Sequence, residues 1–262
     1  MDAPRAQTVI EVRDLECRYS NDLILQNITF SVQHNEIFFI AGRSGCGKST
    51  LLRHMVGLLT PASGHIAYFG KAFTGTTTVE RREFFKSFGV LFQEHALWTD
   101  MSIFDNVCLP LVLHTTLPRE IRSEIVALKL AQVGLAGYGD HLPLELSGGM
   151  QKRAALARAL ALDPAILFFD EPTSGLDPIT ARQIDHLILQ IRETVGATVV
   201  VVSHSISSIF GIADRMILLD TDTKGIVAAG APAELAENDQ RCLVREFLQR
   251  SNRSNRSESA DD

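Results

Sequence analysis

The sequence predicts an α/β fold in which a mostly parallel β-sheet carries helices on both faces. Short apolar runs such as EIFFIAG and AILFFD recur along the chain, and longer amphipathic stretches separate them. Apolar runs of this length fit strands that are buried on both faces, and their alternation with helices favours parallel pairing. Ligands of such sheets bind beyond the carboxyl ends of the strands, so polar residues directly after a buried strand are candidate site residues.

The composition predicts a globular protein with a substantial core. Of 262 residues, 45% are hydrophobic and 21% are charged. The formal net charge of −6 argues against a general nucleic-acid binder, so we expect no nucleic-acid partner. Four cysteines lack metal-ligand or redox spacing and are predicted to be reduced thiols of a cytosolic protein: Cys17, Cys46, Cys108 and Cys242. No stretch reaches the roughly 18 apolar residues that cross a bilayer, and we expect another chain to supply any membrane part.

The N-terminal part of the chain is predicted to contain mostly strands. TVIEVRDLECRY and ITFSVQ alternate between apolar and polar residues, and EIFFIAG, SGHIAYFG and GVLFQ are further strand candidates. A helix is predicted from Lys48 to about Leu59, because Pro61 would end it. Residues 79–88, which are charged and aromatic, are predicted to form a second helix.

Helices alternate with buried strands in the second half of the chain. Ser147 is expected to cap a long helix that stops before Asp163 and Pro164. AILFFD, ATVVVVSH, RMILLD and GIVAAG are predicted strands, the last two as a closing pair, with a helix over residues 179–194. Residues 103–135 are predicted to be helical, with apolar positions at Ile121, Ile125, Leu128 and Val133.

The C-terminal end is predicted to be helical over residues 232–250. Apolar residues share one face there, which favours packing on the chain's own domain over docking on a partner: Leu243, Val244, Phe247 and Leu248. Residues 251–262, SNRSNRSESADD, hold one alanine and no other apolar residue, so this tail is predicted to be disordered.

The segment GRSGCGKST is a phosphate-binding motif in its required context. It matches G-x-x-x-x-G-K-[ST] between a predicted strand and a predicted helix, which argues against a chance glycine-rich turn. The glycines let backbone N–H groups face a phosphate, Lys48 adds a positive charge and Ser49 offers a hydroxyl to Mg²⁺. The predicted ligand-binding residues are Gly42, Ser44, Gly45, Cys46, Gly47, Lys48, Ser49 and Thr50.

Two acids follow the buried strand ILFF. Asp170 is predicted to hold Mg²⁺ and Glu171 to polarise a water as a general base. An N-cap aspartate beside a solvated glutamate is the alternative, and it suits a lone acidic pair better than one downstream of a phosphate motif.

The stretch LSGGMQKRAALARAL distinguishes among nucleotide-binding proteins. Ser147, Gly148 and Gly149 open a helix without side-chain bulk, so bare N–H groups at a positive helix end can meet a second phosphate group. An ordinary capped helix needs neither glycine, and each costs roughly 1 kcal/mol against alanine in a helix interior. These glycines therefore indicate a ligand.

In order and spacing, GRSGCGKST, LSGGM, ILFFDEPTSGLD and VVSH resemble the ATP-binding subunits of ABC transporters, over residues from about 9 to 230. The resemblance implies a P-loop NTPase (RecA-like) core with an antiparallel β subdomain and a helical subdomain, and hydrolysis of ATP with Mg²⁺. It divides a single domain, residues 8–250, into a core (8–95 and 155–230), a helical subdomain (96–154) and a C-terminal helix (231–250). It also implies a homodimer that closes head to tail around two ATPs, each between residues 42–50 of one chain and 147–149 of the other.

The resemblance assigns roles to four more residues. Tyr19 would stack on adenine, with a surface strand tyrosine as the alternative, and Gln93 would contact Mg²⁺ or the attacking water. Asp177 would reach across the dimer, and His204 would contact the γ-phosphate. One departure is Met150, which stands where the family's commonest signature has glutamine.

Longer stretches resemble one branch, the ATPases of MCE-type phospholipid transport systems (maintenance of lipid asymmetry). They are GRSGCGKSTLLRHMVGL, GVLFQEHALWTDMSIFDNVCLPL, LSGGMQKRAALARALALDP and VREFLQ. The resemblance implies a peripheral protein on the cytoplasmic face of the bacterial inner membrane. Its partners would be a permease dimer, an MCE-domain substrate-binding protein and a small regulatory subunit. Four residues form either a groove for the permease or the core of the helical block: Trp98, Met101, Ile103 and Phe104.

Three other functions compete with lipid transport. The first is an ATPase for the transport of small polar solutes. The second is a soluble ABC ATPase of DNA repair, translation or cell division, which the acidic balance and the single nucleotide core disfavour. The third is a structural nucleotide sensor, which would have no use for a base such as Glu171.

Overall fold

The computed structural model describes residues 7–20, 22–93, 96–239 and 241–249. The described residues form two compact units, one within residues 1–75 and 200–262 and the other within residues 76–199. The tail of residues 251–262, predicted to be disordered, lies outside the described residues. Within the described ranges, no helix has the length and apolar character that a membrane span requires.

The elements alternate between strands and helices along the chain. The strands are β1 (Thr8–Tyr19), β2 (Asp22–Gln33), β3 (Ile37–Gly42), β4 (Ser63–Tyr68), β5 (Lys71–Ala72), β6 (Phe88–Leu91), β7 (Ile166–Asp170), β8 (Thr198–Ser203), β9 (Arg215–Asp220) and β10 (Gly225–Gly230). The helices are α1 (Lys48–Met55), α2 (Thr78–Lys86), α3 (Ile103–His114), α4 (Arg119–Gln132), α5 (Gly148–Ala159), α6 (Pro178–Val195), α7 (Ile206–Ile212), α8 (Pro232–Asn238) and α9 (Cys242–Gln249). Every predicted strand is present, and β5 and α7 are short elements that the sequence does not predict.

The first unit combines an antiparallel sheet with the strand that leads into the phosphate-binding motif. The antiparallel sheet has the order β2-β1-β4-β5. Val12 of β1 lies opposite Phe30 of β2 and Ile66 of β4, and all three are buried. β3 pairs in parallel with β9, and β9 pairs with β10 in the predicted closing pair. Antiparallel and parallel strands together confirm the predicted fold class.

Two helices of the first unit show how local contacts set their ends and orientation. α1 ends before the predicted boundary near Leu59, because the N–H groups of Gly57 and Leu58 turn back to the carbonyls of His54 (3.1 Å) and Arg53 (2.8 Å). In α9 the predicted apolar face packs on its own unit, as expected, through the buried side chains of Val244, Phe247 and Leu248.

The second unit surrounds a parallel strand pair with helices. Phe88 of β6 lies opposite Ile166 of β7, and its ring meets the ring of Phe168 edge on at 5.3 Å between centroids. Ser147 caps α5 as predicted, since its hydroxyl accepts the N–H of Met150.

The apolar face predicted for α4 is wrong at two of its positions. Ile121 and Leu128 are exposed, whereas Val126 and Leu130 are buried and continue to the buried Val133. Both sets of apolar residues recur at helical spacing, so periodicity does not identify which set faces the core.

The loop before α3 is held by one buried side chain. Asn106, fully buried, accepts the N–H of Trp98 (2.8 Å) and donates to the carbonyls of Trp98 (3.0 Å), Met101 (3.1 Å) and Ser102 (3.0 Å). An unpaired buried amide would cost free energy, so the Asn106 side chain stabilises the position of residues 98–102 against α3.

We predict that Asn106→Ala lowers the free energy of unfolding by about 3 kcal/mol, because it removes all four hydrogen bonds between the buried Asn106 amide and the loop backbone. Urea denaturation measures the change. Ser102→Ala is the matched control, since it removes only the cap of α3 and is expected to cost about 1 kcal/mol. Equal losses for the two variants would contradict this role of Asn106.

Candidate active site

Close packing shapes the phosphate-binding loop of the first unit. β3 is buried along its length, and α1 begins directly after Gly47, its N-cap. A Cβ atom on Gly42 would lie 2.5 Å from the Sγ of Cys46 and 2.7 Å from the carbonyl oxygen of Leu219. On Gly47, with a φ of 98°, it would lie 2.8 Å from a side-chain carbon of β2. The loop therefore needs glycine at both positions for its own geometry.

Lys48 is held inside this loop. Its Nζ donates to the carbonyl oxygens of Gly42 (2.9 Å) and Arg43 (3.1 Å), and its side chain is buried. Phosphate oxygens are stronger acceptors than carbonyls because they carry charge. The ammonium group is thus placed to exchange these partners for an anionic ligand.

The other predicted loop residues differ in exposure. Ser44 and Gly45 are exposed, and Ser49 and Thr50 are half-buried in the first turn of α1. Cys46 is buried, and burial raises the pKa of its thiol, while the neighbouring Lys48 acts in the opposite direction. Cys46 is a free thiol, as are Cys17 and Cys108, which agrees with the predicted reduced state.

Three polar side chains of the first unit lie at strand ends. Tyr19 ends β1 and is exposed, and His204, also exposed, directly follows β8. Asp220 belongs to no predicted motif. It is the last residue of β9 and directly follows Leu219, which pairs with Gly42. Its Oδ2 accepts two backbone N–H groups of the following turn, and these hydrogen bonds, first that of Thr223, lower the pKa of its carboxyl.

In the second unit the two predicted acids end a buried strand. Every residue of β7 is buried, Asp170 included, and Glu171 directly after it is also buried. β6 runs parallel to β7 with Leu91 opposite Phe169, so Gln93 leaves the sheet at the same edge as Glu171. The structure thus brings Gln93, Asp170 and Glu171 to one edge of this unit.

Lys152 of α5 is a neighbour of this edge that the motifs do not include. It is buried, and its Nζ donates to the carbonyl oxygen of Glu171 at 3.2 Å. A sequence signal for it exists, since Lys152 shares the inward face of α5 with the buried Ala155 and Ala159.

The two glycines of the LSGGM stretch have different surroundings. A Cβ on Gly148 would meet nothing within 4 Å, so its surface stays open beside the exposed Ser147. A Cβ on Gly149 would lie 2.7 Å from the Cγ2 of Thr180, so this glycine permits the close approach of α5 to α6. Packing thus gives Gly149 a structural reason of its own, and the ligand role of both glycines stays a prediction.

Asp177 is the N-cap of α6. Its Oδ1 accepts the N–H groups of Ile179 and Thr180, each at 3.0 Å, and its Oδ2 accepts the Thr180 hydroxyl. These hydrogen bonds, first those from Thr180, lower the pKa of the Asp177 carboxyl. The carboxyl group is nonetheless exposed.

The predicted site residues form two sets, one in each unit. The first set holds Tyr19, residues 42–50 and His204, and the second holds Gln93, residues 147–149, Asp170, Glu171 and Asp177. The first set offers N–H groups and cations for phosphate, and the second offers an amide, three carboxyl groups and a helix N-terminus.

Comparisons with known proteins identify the family of this chain. The model of the ABC transporter family matches residues 25–174. The chain is 41% identical over 242 residues to the intermembrane phospholipid transport system ATP-binding protein MlaF of Haemophilus influenzae, covering 92% of this chain and 90% of that protein. It is 38% identical to the probable ribonucleotide transport ATP-binding protein mkl of Mycobacterium tuberculosis, covering 94% of this chain and 69% of that protein.

A solved structure agrees with this match. The dimeric post-hydrolysis state of the ATP-binding cassette MJ0796, bound to ADP and Pi, superimposes with a TM-score of 0.77 at 28% identity, covering 85% of this chain and 98% of that chain. The chain therefore belongs to the ABC transporter family, as one of its ATP-hydrolysing subunits.

Proposed function

We propose that this chain dimerises around two ATPs to drive a permease that moves phospholipid between the inner and outer membranes of bacteria. The observation that carries the proposal is the likeness, along nearly the whole of both chains, to a protein named for intermembrane phospholipid transport. The mycobacterial relative, named for probable ribonucleotide transport, supports a polar solute as the second candidate substrate.

ATP binds through the first set of site residues. The N–H groups of residues 42–50 and the start of α1 hold the phosphates, and Lys48 turns from its two carbonyl partners to the β- and γ-phosphates. Tyr19, exposed at the end of β1, stacks on adenine, and His204 contacts the γ-phosphate.

Mg²⁺ fits the donors that the chain offers. Ser49 and Asp170 would hold it, with Gln93 as a further ligand, and oxygen ligands are those that Mg²⁺ prefers. Among the described residues no group of three or more His, Cys, Asp or Glu side chains forms a metal site. A metal held by few protein ligands together with phosphate and water is the usual arrangement for Mg²⁺. When bound, it neutralises charge on the phosphates.

Glu171 is the general base of hydrolysis. Its buried position directly after β7 holds it at the sheet edge that it shares with Gln93. Gln93, at the same sheet edge, orients the attacking water. A positioned base of this kind contributes about 10²–10⁴ to a rate.

Two copies of the chain complete each site. Ser147 and Gly148, exposed at the start of α5, contact the γ-phosphate of the ATP held by the other chain. Asp177, exposed while it caps α6, reaches the other chain. We assign residues 96–154 to a helical subdomain and 8–95 with 155–230 to the core, within a domain of residues 8–250.

The permease binds the second unit at a partly apolar groove. Phe85, Phe88 and Leu109 line it, together with Leu113 and Arg158. Ile103 is fully buried and belongs to the core, whereas Trp98 is exposed and is the contact residue we assign to the permease. An MCE-domain protein and a small regulatory subunit complete the assembly, with this chain peripheral on the cytoplasmic face of the inner membrane.

Purification of the membrane complex through this tagged chain tests the substrate. We expect permease and MCE-domain subunits in the complex, with phospholipid detected by mass spectrometry in excess of bulk membrane lipid. Trp98→Ala, at an exposed residue, is expected to reduce recovery of the permease. A complex without these subunits or enriched lipid, or with a solute-binding protein instead, would contradict lipid transport.

We predict that Glu171→Gln retains ATP binding and traps a closed dimer, while hydrolysis by the full complex falls by about 100-fold or more because the base is lost. Phosphate release and size-exclusion chromatography with ATP measure the two effects. Glu193→Gln, at an exposed glutamate of α6, is the control. Hydrolysis at the parent rate by Glu171→Gln would refute the assigned base.

Ser147→Arg is expected to abolish ATP-dependent dimerisation while ATP binding by the monomer is unchanged, because the bulky cation fills the surface that meets the other chain's ATP. Analytical ultracentrifugation and nucleotide titration measure both. Ser102→Arg controls for the loss of a helix cap, since Ser102 caps α3 in the same way. Loss of monomer ATP binding by Ser147→Arg would show that the segment is misassigned.

A further inference from the structure

The backbone of Glu171 adopts a conformation that its residue type disfavours. Its φ is +51°, in the left-handed region, where a Cβ atom crowds the backbone. This geometry turns the chain sharply at the end of β7 and sets the direction of the Glu171 side chain. A conformation of this kind persists only where neighbouring groups stabilise it.

Lys152 supplies that stabilisation. Its Nζ donates to the carbonyl oxygens of both Glu171 (3.2 Å) and Ser174 (2.5 Å). The N–H of Ser174 also donates to the Glu171 carbonyl at 3.2 Å, so the turn from 171 to 174 closes around the ammonium group. Hydrogen bonds donated by a charged group such as an ammonium are stronger than those between two neutral groups.

The buried charge of Lys152 is unfavourable for the stability of the fold. The side chain is 3% exposed, and burial lowers the pKa of its ammonium group to about 8, although the Glu171 carboxylate partly opposes this shift. Apolar residues that fill the same volume often stabilise a protein as well as, or better than, a buried charge. The hydrogen bonds that Lys152 donates to the turn of residues 171–174 explain why a lysine occupies this buried position.

The same helix carries the segment that meets the second ATP. Lys152 lies on α5, which Ser147 caps, and Arg153 donates to the Oε1 of Gln183 on α6 at 2.8 Å. Arg153 and the close approach at Gly149 thus hold the start of α5 against α6, while Lys152 joins the same helix to the turn that bears Glu171.

We propose that Lys152 is a positioning residue that holds Glu171 in its catalytic conformation and links it to the α5 segment that contacts the other chain's ATP. The inference rests on the proposed roles of Glu171 and Ser147. Since those residues serve different ATPs of the dimer, Lys152 joins the two sites within one chain and makes hydrolysis at one depend on closure at the other.

The test compares Lys152→Met with the parent chain in the full membrane complex. We expect kcat for ATP hydrolysis to fall about ten-fold or more, because small displacements of a catalytic group have effects of this size. KM for ATP is expected to change less than two-fold, and the Hill coefficient for ATP to approach 1. Lys152→Arg, which keeps the charge, is expected to recover part of kcat and of the Hill coefficient.

Lys129→Met is the matched control. Lys129 is another buried lysine of the second unit, 4% exposed on α4, where it pairs with Asp163. The Lys129→Met substitution removes a buried ammonium group that makes no hydrogen bond to Glu171. We expect kcat per folded complex to be unchanged.

Parent kcat and Hill coefficient in Lys152→Met, or equal losses of kcat in both methionine variants, would overturn the proposal. If Lys152→Met does not fold, Lys152→Gln and Lys152→Arg are compared instead. A lower kcat for Lys152→Gln than for Lys152→Arg supports the positioning role, and equal kcat values overturn it. Glu171→Gln serves as the reference. Failure of that variant to reduce hydrolysis contradicts the proposed base itself, whereas its inactivity beside a fully active Lys152→Met contradicts only the positioning role.

Discussion

The burial of short strands is the constraint on which the chemistry of this chain depends. β3, β7 and β8 have no exposed residue, so charged groups that need water or a ligand are confined to positions at or beyond the strand ends. In the first unit this places the phosphate-binding loop after β3 and His204 after β8. In the second it places Asp170 and Glu171 at the end of β7. An unpartnered polar group inside any of these strands would cost about 1–3 kcal/mol.

Single polar side chains hold the irregular segments that carry the site. Asn106 satisfies backbone groups of the loop before α3, Asp220 those of the turn after β9, and Asp177 those at the start of α6. Lys152 does the same for the turn after β7. These segments have no ladder of backbone hydrogen bonds, and one side chain with several partners replaces it. The loops are thereby fixed without long stretches of regular structure.

The sequence was sufficient for the strands, the phosphate loop and the cap at Ser147, because continuous apolar runs and capping residues are local signals. It was insufficient for α4, where two apolar sets share the helical period and only packing selects Val126 and Leu130. Lys152 and Asn106 belong to no motif because their partners are backbone groups, which almost any residue type supplies. The close contact of Gly149 with Thr180 could not be predicted either, because it depends on the tertiary approach of two helices.

The burial of Cys46 has a consequence for the resistance of the loop to oxidation. Peroxides and disulfides react with thiolates far faster than with thiols, and a buried thiol with a raised pKa stays protonated at neutral pH. Its sulfur lies beside Gly42, where a Cβ atom would come within 2.5 Å of it. The loop thus carries a cysteine whose burial slows its reaction with oxidants.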